Sequence, residues 1–239
     1  ANQKIGLGYT STQVFHESGN LYAPYNKGGE YCKWYGNRDL IIKFDMANYS
    51  VLQSQGNHLP SKQYYFCECG TWSALTTSGF SCRYCENGFV FDTKGSSCFC
   101  NSRDELFSAM GFLNSCVANE IFKMLSPTVD YNAGTVANVP ILRSVNETAN
   151  SVVKACIALS KMNWDSYETS REFFRHPFVQ QSTKIEKIYK SWELTLEKKF
   201  NEQKDNEEEI NRLFIEAYEL KDELTPEVPE KNITMRKAN

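Results

Sequence analysis

The sequence predicts an α+β fold: a twisted, mostly antiparallel β-sheet domain with packed helices, followed by a helical region containing one long amphipathic helix. Three observations carry this. Residues 1 to about 100 alternate short β-branched or aromatic runs with clusters of Gly, Asn, Pro and Ser. After Ser102 the apolar residues recur at helical spacing. From about Thr183 to Leu220 a single helical stripe continues. The change of period divides the chain into a β-rich recognition part, 1–143, with one main helix at about 103–125, and a helical spacer or docking part, 144–239.

The strand candidates are "DLIIKF" (Asp39–Phe44), "KQYYFCE" (Lys62–Glu68) and "GFVFD" (Gly88–Asp92), each short and bounded by turn residues. Ser102 and Glu105 form a capping box, in which each side chain satisfies a free amide of the first helical turn. Leu106, Met110, Leu113, Val117, Ile121 and Met124 follow as one stripe, and Pro127 disfavours helical geometry at Ser126. "AGTVANVPI" (Ala133–Ile141) reads as a return to the sheet. A second box, Ser144 to Glu147, opens a helix carrying Val152, Val153, Cys156, Ile157 and Leu159. The long helix bears Ile185, Ile188, Trp192, Leu196, Phe200, Ile210, Phe214 and Ala217, with "KDNEEE" (Lys204–Glu209) expected on its solvated side. A rod of that length, about 55 Å, packs on other helices or on a partner.

Composition sets further bounds. Charged residues at 23% and hydrophobic residues at 41% are those of a soluble globular protein. No run of about 18 apolar residues could span a membrane, and no signal-peptide pattern opens the chain. The missing initiator Met and the ending "MRKAN" are expected of a piece of a longer protein. Nine cysteines, an odd number in a chain of 239 residues, favour reduced thiols and a cytoplasmic location over a disulfide scaffold. Lys and Arg balance Asp and Glu at 11 each up to Asn146, and stand at 15 against 18 from Glu147. There is no basic surface of the kind carried by strong non-specific nucleic-acid binders, so DNA binding would need locally clustered charge.

Catalytic patterns are absent. His16, His58 and His176 stand beside no Ser or Cys in a nucleophile elbow, and "GTWSALTTSGF" (Gly70–Phe80) lacks G-x-S-x-G. No Gly-rich phosphate loop occurs. Cys67, Cys69, Cys82 and Cys85 have spacing that could hold a tetrahedral zinc; the alternative is small buried or idle thiols, because alternate residues of a strand share a face without converging.

A set of motifs in fixed order resembles a known family. They are "PYNKGGEYCKWYGN" (Pro24–Asn37), "TWSALTTSGFSCRY", "GFVFDTKGSSCF", "LFSAMGFLNSCVANEIFKMLSPTVDYNAGTVANVPI" and "NWDSYETSREFFRHP". Together they are similar to the target-recognition region of bacterial adenine-specific DNA methyltransferases, above all those of BREX phage-exclusion systems and their type IIG relatives. The resemblance implies that methyl transfer uses S-adenosylmethionine and an Asn-Pro-Pro-Tyr motif that receives a flipped adenine. None of the seven prolines here adjoins another, so that motif is absent, and the resemblance makes this chain the specificity part. Its implied partners are double-stranded DNA, the catalytic domain and other defence-system subunits.

The opening motif then acquires a role. Gly28 and Gly29 allow close backbone approach, and Lys27 and Arg38 become the leading phosphate or guanine contacts. Trp34 and Tyr35 either anchor the loop or touch DNA. Ser73, Arg83, Lys94, Ser96 and Ser97, on the later loops, form a second tier. The plainer alternative is a tight glycine turn with packed rings. Two other functions remain open at this level: a protein-interaction module built on the long helix, and a zinc-stabilised structural domain.

Overall fold

The computed structural model describes residues 4–55, 59, 61–126, 130–142, 147–179 and 184–237. Expectations at His58, Pro127, Arg143 and the Ser144 end of the second capping box lie outside them. In chain order the elements are α1 (Thr12–Glu17), β1 (Tyr22–Asn26), β2 (Ile41–Lys43), α2 (Met46–Ser54), β3 (Cys69–Trp72), β4 (Cys82–Cys85), β5 (Val90–Phe91), β6 (Ser97–Cys98), α3 (Arg103–Leu113), α4 (Cys116–Leu125), α5 (Ala133–Ala137), α6 (Glu147–Trp164) and α7 (Ile185–Ala217). The strands form two small sheets, β2-β1-β5 and β4-β3-β6. Among the named strands β1 and β5 pair in parallel and the other pairs are antiparallel, with isolated parallel bridges at Ile5–Tyr22 and Trp34–Arg83. The α+β expectation holds, with two sheets in place of one.

The Ser102 half of the capping box forms as the sequence indicates, while the Glu105 half reaches back to the amide before the cap. Its Oγ accepts from Glu105 N at 3.2 Å, while Glu105 Oε2 accepts from Asn101 N at 3.1 Å. The helix that follows ends early, however. Asn114 turns its amide onto β4, accepting from Cys82 N at 2.8 Å and donating to Cys82 O at 3.0 Å. Ser115 then caps a new helix through Ala118 N. One predicted helix is therefore two, because a strand amide competes for the turn. Asn114 is buried, so Asn114→Ala should leave Cys82 N of β4 without its Asn114 acceptor, Cys82 O keeping Trp34 N, and cost about 1–3 kcal/mol in urea unfolding.

Two further expectations are corrected. Lys62–Glu68 is a 3-10 turn at Lys62–Tyr64 followed by a bend. Phe66 there has φ +67° and pairs its backbone with Phe89 and Gly88 outside any strand, which drops its ring into a core with Phe15, Phe44 and Tyr65. Ala133–Ile141 begins as helix α5, because Asn132 Oδ1 accepts from Thr135 N at 3.0 Å and caps a turn.

The larger core joins Trp34, Trp72, Phe80, Met110, Phe112 and Phe122 to Val153 of α6 and Ile210 and Phe214 of α7. It draws on residues from both sides of position 143. Helix α7, 33 residues and about 50 Å long, buries Ile188, Leu196, Phe200, Gln203, Glu207, Ile210 and Phe214. Ile185 is exposed. Glu207, expected in water with the rest of "KDNEEE", is in the core.

Candidate nucleic-acid interface

Three loops expected to act together do meet. Gly28 (φ +92°) and Gly29 (φ +140°) follow β1 and lie on the loops after β3 and β5. A Cβ on Gly28 would stand 2.9 Å from Lys94 O and 3.2 Å from Ser73 Oγ. Ser73 Oγ donates to Gly29 O at 2.7 Å, and Ala74 N donates to Lys94 O at 3.0 Å. The Lys94 turn is held by Asp92, whose Oδ1 accepts from Lys94 N and Gly95 N. Lys27 and Lys94 are exposed on this seam, as are Gly29, Glu30 and Thr77. Ser97 is half-buried.

The other candidates lie beneath it. Trp34 is fully buried and carries φ +69°, a conformation a tryptophan adopts only when its surroundings enforce it. The enforcement is visible. Trp34 N donates to Cys82 O at 2.9 Å, Tyr84 N donates to Trp34 O at 2.8 Å, and Trp34 Nε1 donates to Glu207 Oε1 at 2.9 Å. Lys33 Nζ meets Glu207 Oε2 at 2.8 Å. Burial alone would lower the Lys33 pKa, but the Glu207 carboxylate and Tyr31 outweigh it and raise it. Tyr35 is buried too, and that burial pushes its hydroxyl up to about 12.

Arg38 is buried between the rings of Tyr35 and Phe89, 4.4 and 4.3 Å from their centroids, and pairs with Glu86. Arg83 is 2% exposed, its Nη1 has no hydrogen-bond partner among the described residues, and burial lowers its pKa. Ser96 is buried, its carbonyl taken by Trp72 N and Thr71 Oγ1. Trp34, Tyr35, Arg38, Arg83 and Ser96 thus support the loops from inside. Sequence reasoning missed Glu207, yet Phe200, Gln203, Glu207, Ile210 and Phe214 recur at spacings of three and four. A carboxylate on an apolar stripe was the available signal.

The four thiols Cys67, Cys69, Cys82 and Cys85 do not converge on one point: Cys69 contacts Cys85, and Cys82 contacts Cys98. Cys69 faces Cys85 across β3 and β4, while Cys82 faces Trp72. Cys82 and Cys85 are three residues apart in one strand and project from opposite faces. Cys67 lies outside the sheet, its Sγ 3.8 Å from Tyr65 O. Among the described residues no group of three or more His, Cys, Asp or Glu is arranged to hold a metal.

Over 250 aligned positions, 99% of its length, the chain is 34% identical to adenine-specific methyltransferase PglX of Lacticaseibacillus casei (strain Zhang). Over 217 positions, 90% of its length, it is 32% identical to adenine-specific methyltransferase BrxX of Escherichia coli O9:H4 (strain HS). These relatives are adenine-specific methyltransferases. The chain spans 21% and 18% of their respective lengths. No protein-family model matches it.

Proposed function

We propose that this chain is the DNA sequence-recognition region of an S-adenosylmethionine-dependent N6-adenine DNA methyltransferase serving BREX-type phage defence or restriction–modification in the cytoplasm. The observation that carries the reading is its similarity, along almost its whole length, to two adenine-specific methyltransferases. The seam of Lys27, Gly28, Gly29, Ser73 and Lys94 supplies the chemistry: exposed cations for phosphate and close-approaching backbone at a groove edge. In this reading residues 1–143 carry the recognition loops and 144–239 brace them. Trp34, Tyr35, Arg38, Arg83, Ser96 and Glu207 position the loops without touching DNA.

The chain's residues do not fit the cofactor. No Asn-Pro-Pro-Tyr run occurs, and the glycine pair abuts Ser73 and Lys94 rather than a helix N-terminus. Methyl transfer is therefore assigned to none of these residues. It belongs to the catalytic part of the longer protein, where the target adenine must leave the stack to react.

Binding should be modest and only shallowly salt-dependent, since the cations are offset by a slight excess of Asp and Glu and the seam itself exposes only Lys27 and Lys94. Lys27→Ala and Lys94→Ala in the full-length protein are each expected to reduce the slope of log K against log salt by about 0.9, alike on all sequences. Salt titrations of duplex binding check this. Exchanging residues 24–100 for a relative's and sequencing the methylome is the decisive experiment. An unchanged modified motif would remove specificity from this segment.

A second reading has one observation in its favour. Ile185 and Leu194 on the first half of α7 are 73% and 65% exposed, which suits docking onto the catalytic domain or another defence-system subunit. The two readings are compatible if α7 docks at one end and braces the loops at the other.

A further inference from the structure

One aromatic ring stands almost wholly in solvent. Phe174 is 93% exposed, the most exposed large apolar side chain among the described residues. Its loop is nevertheless anchored on both sides. Before it, Ser170 Oγ donates to Asp165 Oδ1 at 2.6 Å and accepts from Glu172 N at 3.1 Å. Arg171 Nη2 donates to Leu40 O at 2.8 Å. After it, His176 Nδ1 accepts from Phe178 N at 3.1 Å. The His176 ring packs on Tyr167 and Trp192, and Phe178 on Tyr189 and Trp192.

The charges around the ring are also sorted. Asp165 and Glu172 both pair with Lys161, Glu172 doing so at the surface. Arg171 and Arg175, both exposed, form no ion pair among the described residues. An anchored loop thus presents a bare phenyl ring beside the free guanidinium of Arg175, while Arg171 is turned back onto Leu40 O and towards the Asp39 and Glu86 carboxylates.

We propose that Phe174 enters bound duplex as a wedge between neighbouring base pairs, with Arg175 on an adjoining phosphate. The inference rests on the DNA-recognition reading and adds where the duplex is deformed. A projecting ring matches the slot between two base pairs, and stacking on both restores the burial that water denies it. Unstacking costs energy that the extra contacts of bent DNA offset. A step opened in this way also makes it easier for a nearby adenine to leave the helix.

The test uses the full-length methyltransferase and duplexes in which 2-aminopurine is walked through the recognised site. Wild-type protein is expected to raise the fluorescence several-fold at one step. Phe174→Ala should abolish that rise and weaken binding on the order of tenfold, the cost of losing an aromatic stack, whereas Phe174→Leu should keep most of it. Arg175→Ala should flatten the salt dependence and leave the rise in place. If Phe174→Ala keeps both the rise and the affinity, the wedge is refuted. If it instead splits the thermal transition of the whole protein in two with duplex binding intact, the ring belongs to a protein contact and the proposal falls. Tight, sequence-specific binding by wild type with no step unstacked leaves recognition standing and removes the wedge. No duplex binding at all removes both.

Discussion

Glu207→Ala is expected to destabilise the protein by about 3–5 kcal/mol, because it leaves a buried charge without its partner. Glu207 is 2% exposed and sits at the centre of three contacts: Lys33 Nζ at 2.8 Å, Trp34 Nε1 at 2.9 Å and Gln203 Nε2 at 3.2 Å. Lys33 is itself 5% exposed, so water cannot take over. Urea unfolding measures the loss; a change under about 1 kcal/mol would mean the pair is solvated in solution, as surface pairs are. The paired change Lys33→Met with Glu207→Leu should recover most of the stability, since removing both charges removes the desolvation cost as well.

The same pair sets a pH dependence whose sign follows from the direction of the shift. Lys33 in the folded protein is raised above an ordinary lysine. Its contribution is therefore complete below an unfolded pKa of about 10.4 and is lost as pH rises through the folded value. Wild-type stability should fall on that alkaline side, and the Met/Leu variant should lack this part of the fall. The consequence reaches the Lys27–Gly28–Lys94 seam, because Trp34 holds its left-handed backbone only with the help of Glu207 and β4.

Gly95→Ala is expected to disrupt the seam proposed for DNA recognition. The added methyl would overlap the Asn26 carbonyl oxygen and stand 2.9 Å from Lys27 N. Both are backbone atoms at the end of β1, with no flexible side chain to swing aside. The Lys94 turn and the Lys27 loop must then part, at about 1–3 kcal/mol of folding stability. Parting also moves Lys94 O from its place against Gly28. Duplex affinity of the full-length protein should drop by about tenfold, or 1.4 kcal/mol. Thermal melting and filter binding on the same preparation separate the two effects. Unchanged melting and binding together would show that the two segments do not touch.

Much was legible in the chain because it is local. The Ser102–Glu105 cap acts over four residues, and the apolar spacing of α7 needs no knowledge of its neighbours. The glycine pair and the "TWS" and "DTKGSS" stretches could be grouped as recognition loops from their resemblance to methyltransferase motifs, and the fold brings Gly28, Ser73 and Lys94 into contact. Which cations stay in water could not be read in this way. Lys27 and Lys94 are exposed, while Lys33, Arg38 and Arg83 are buried, and nothing in their immediate neighbours distinguishes them.

The sequence alone determined the α+β class, the long helix and the stretches that form the loops, since propensity, capping and periodicity act within a few residues. Only the tertiary structure decided that α3 stops where Asn114 meets Cys82, that Phe66 leaves the strand conformation to fill a core, and that Glu207 abandons water for Lys33 and Trp34. Those partners lie 32 and more than 170 residues away in the chain. Burying a polar or charged group is favourable only when its partner arrives with it, and that condition is met in space rather than along the sequence.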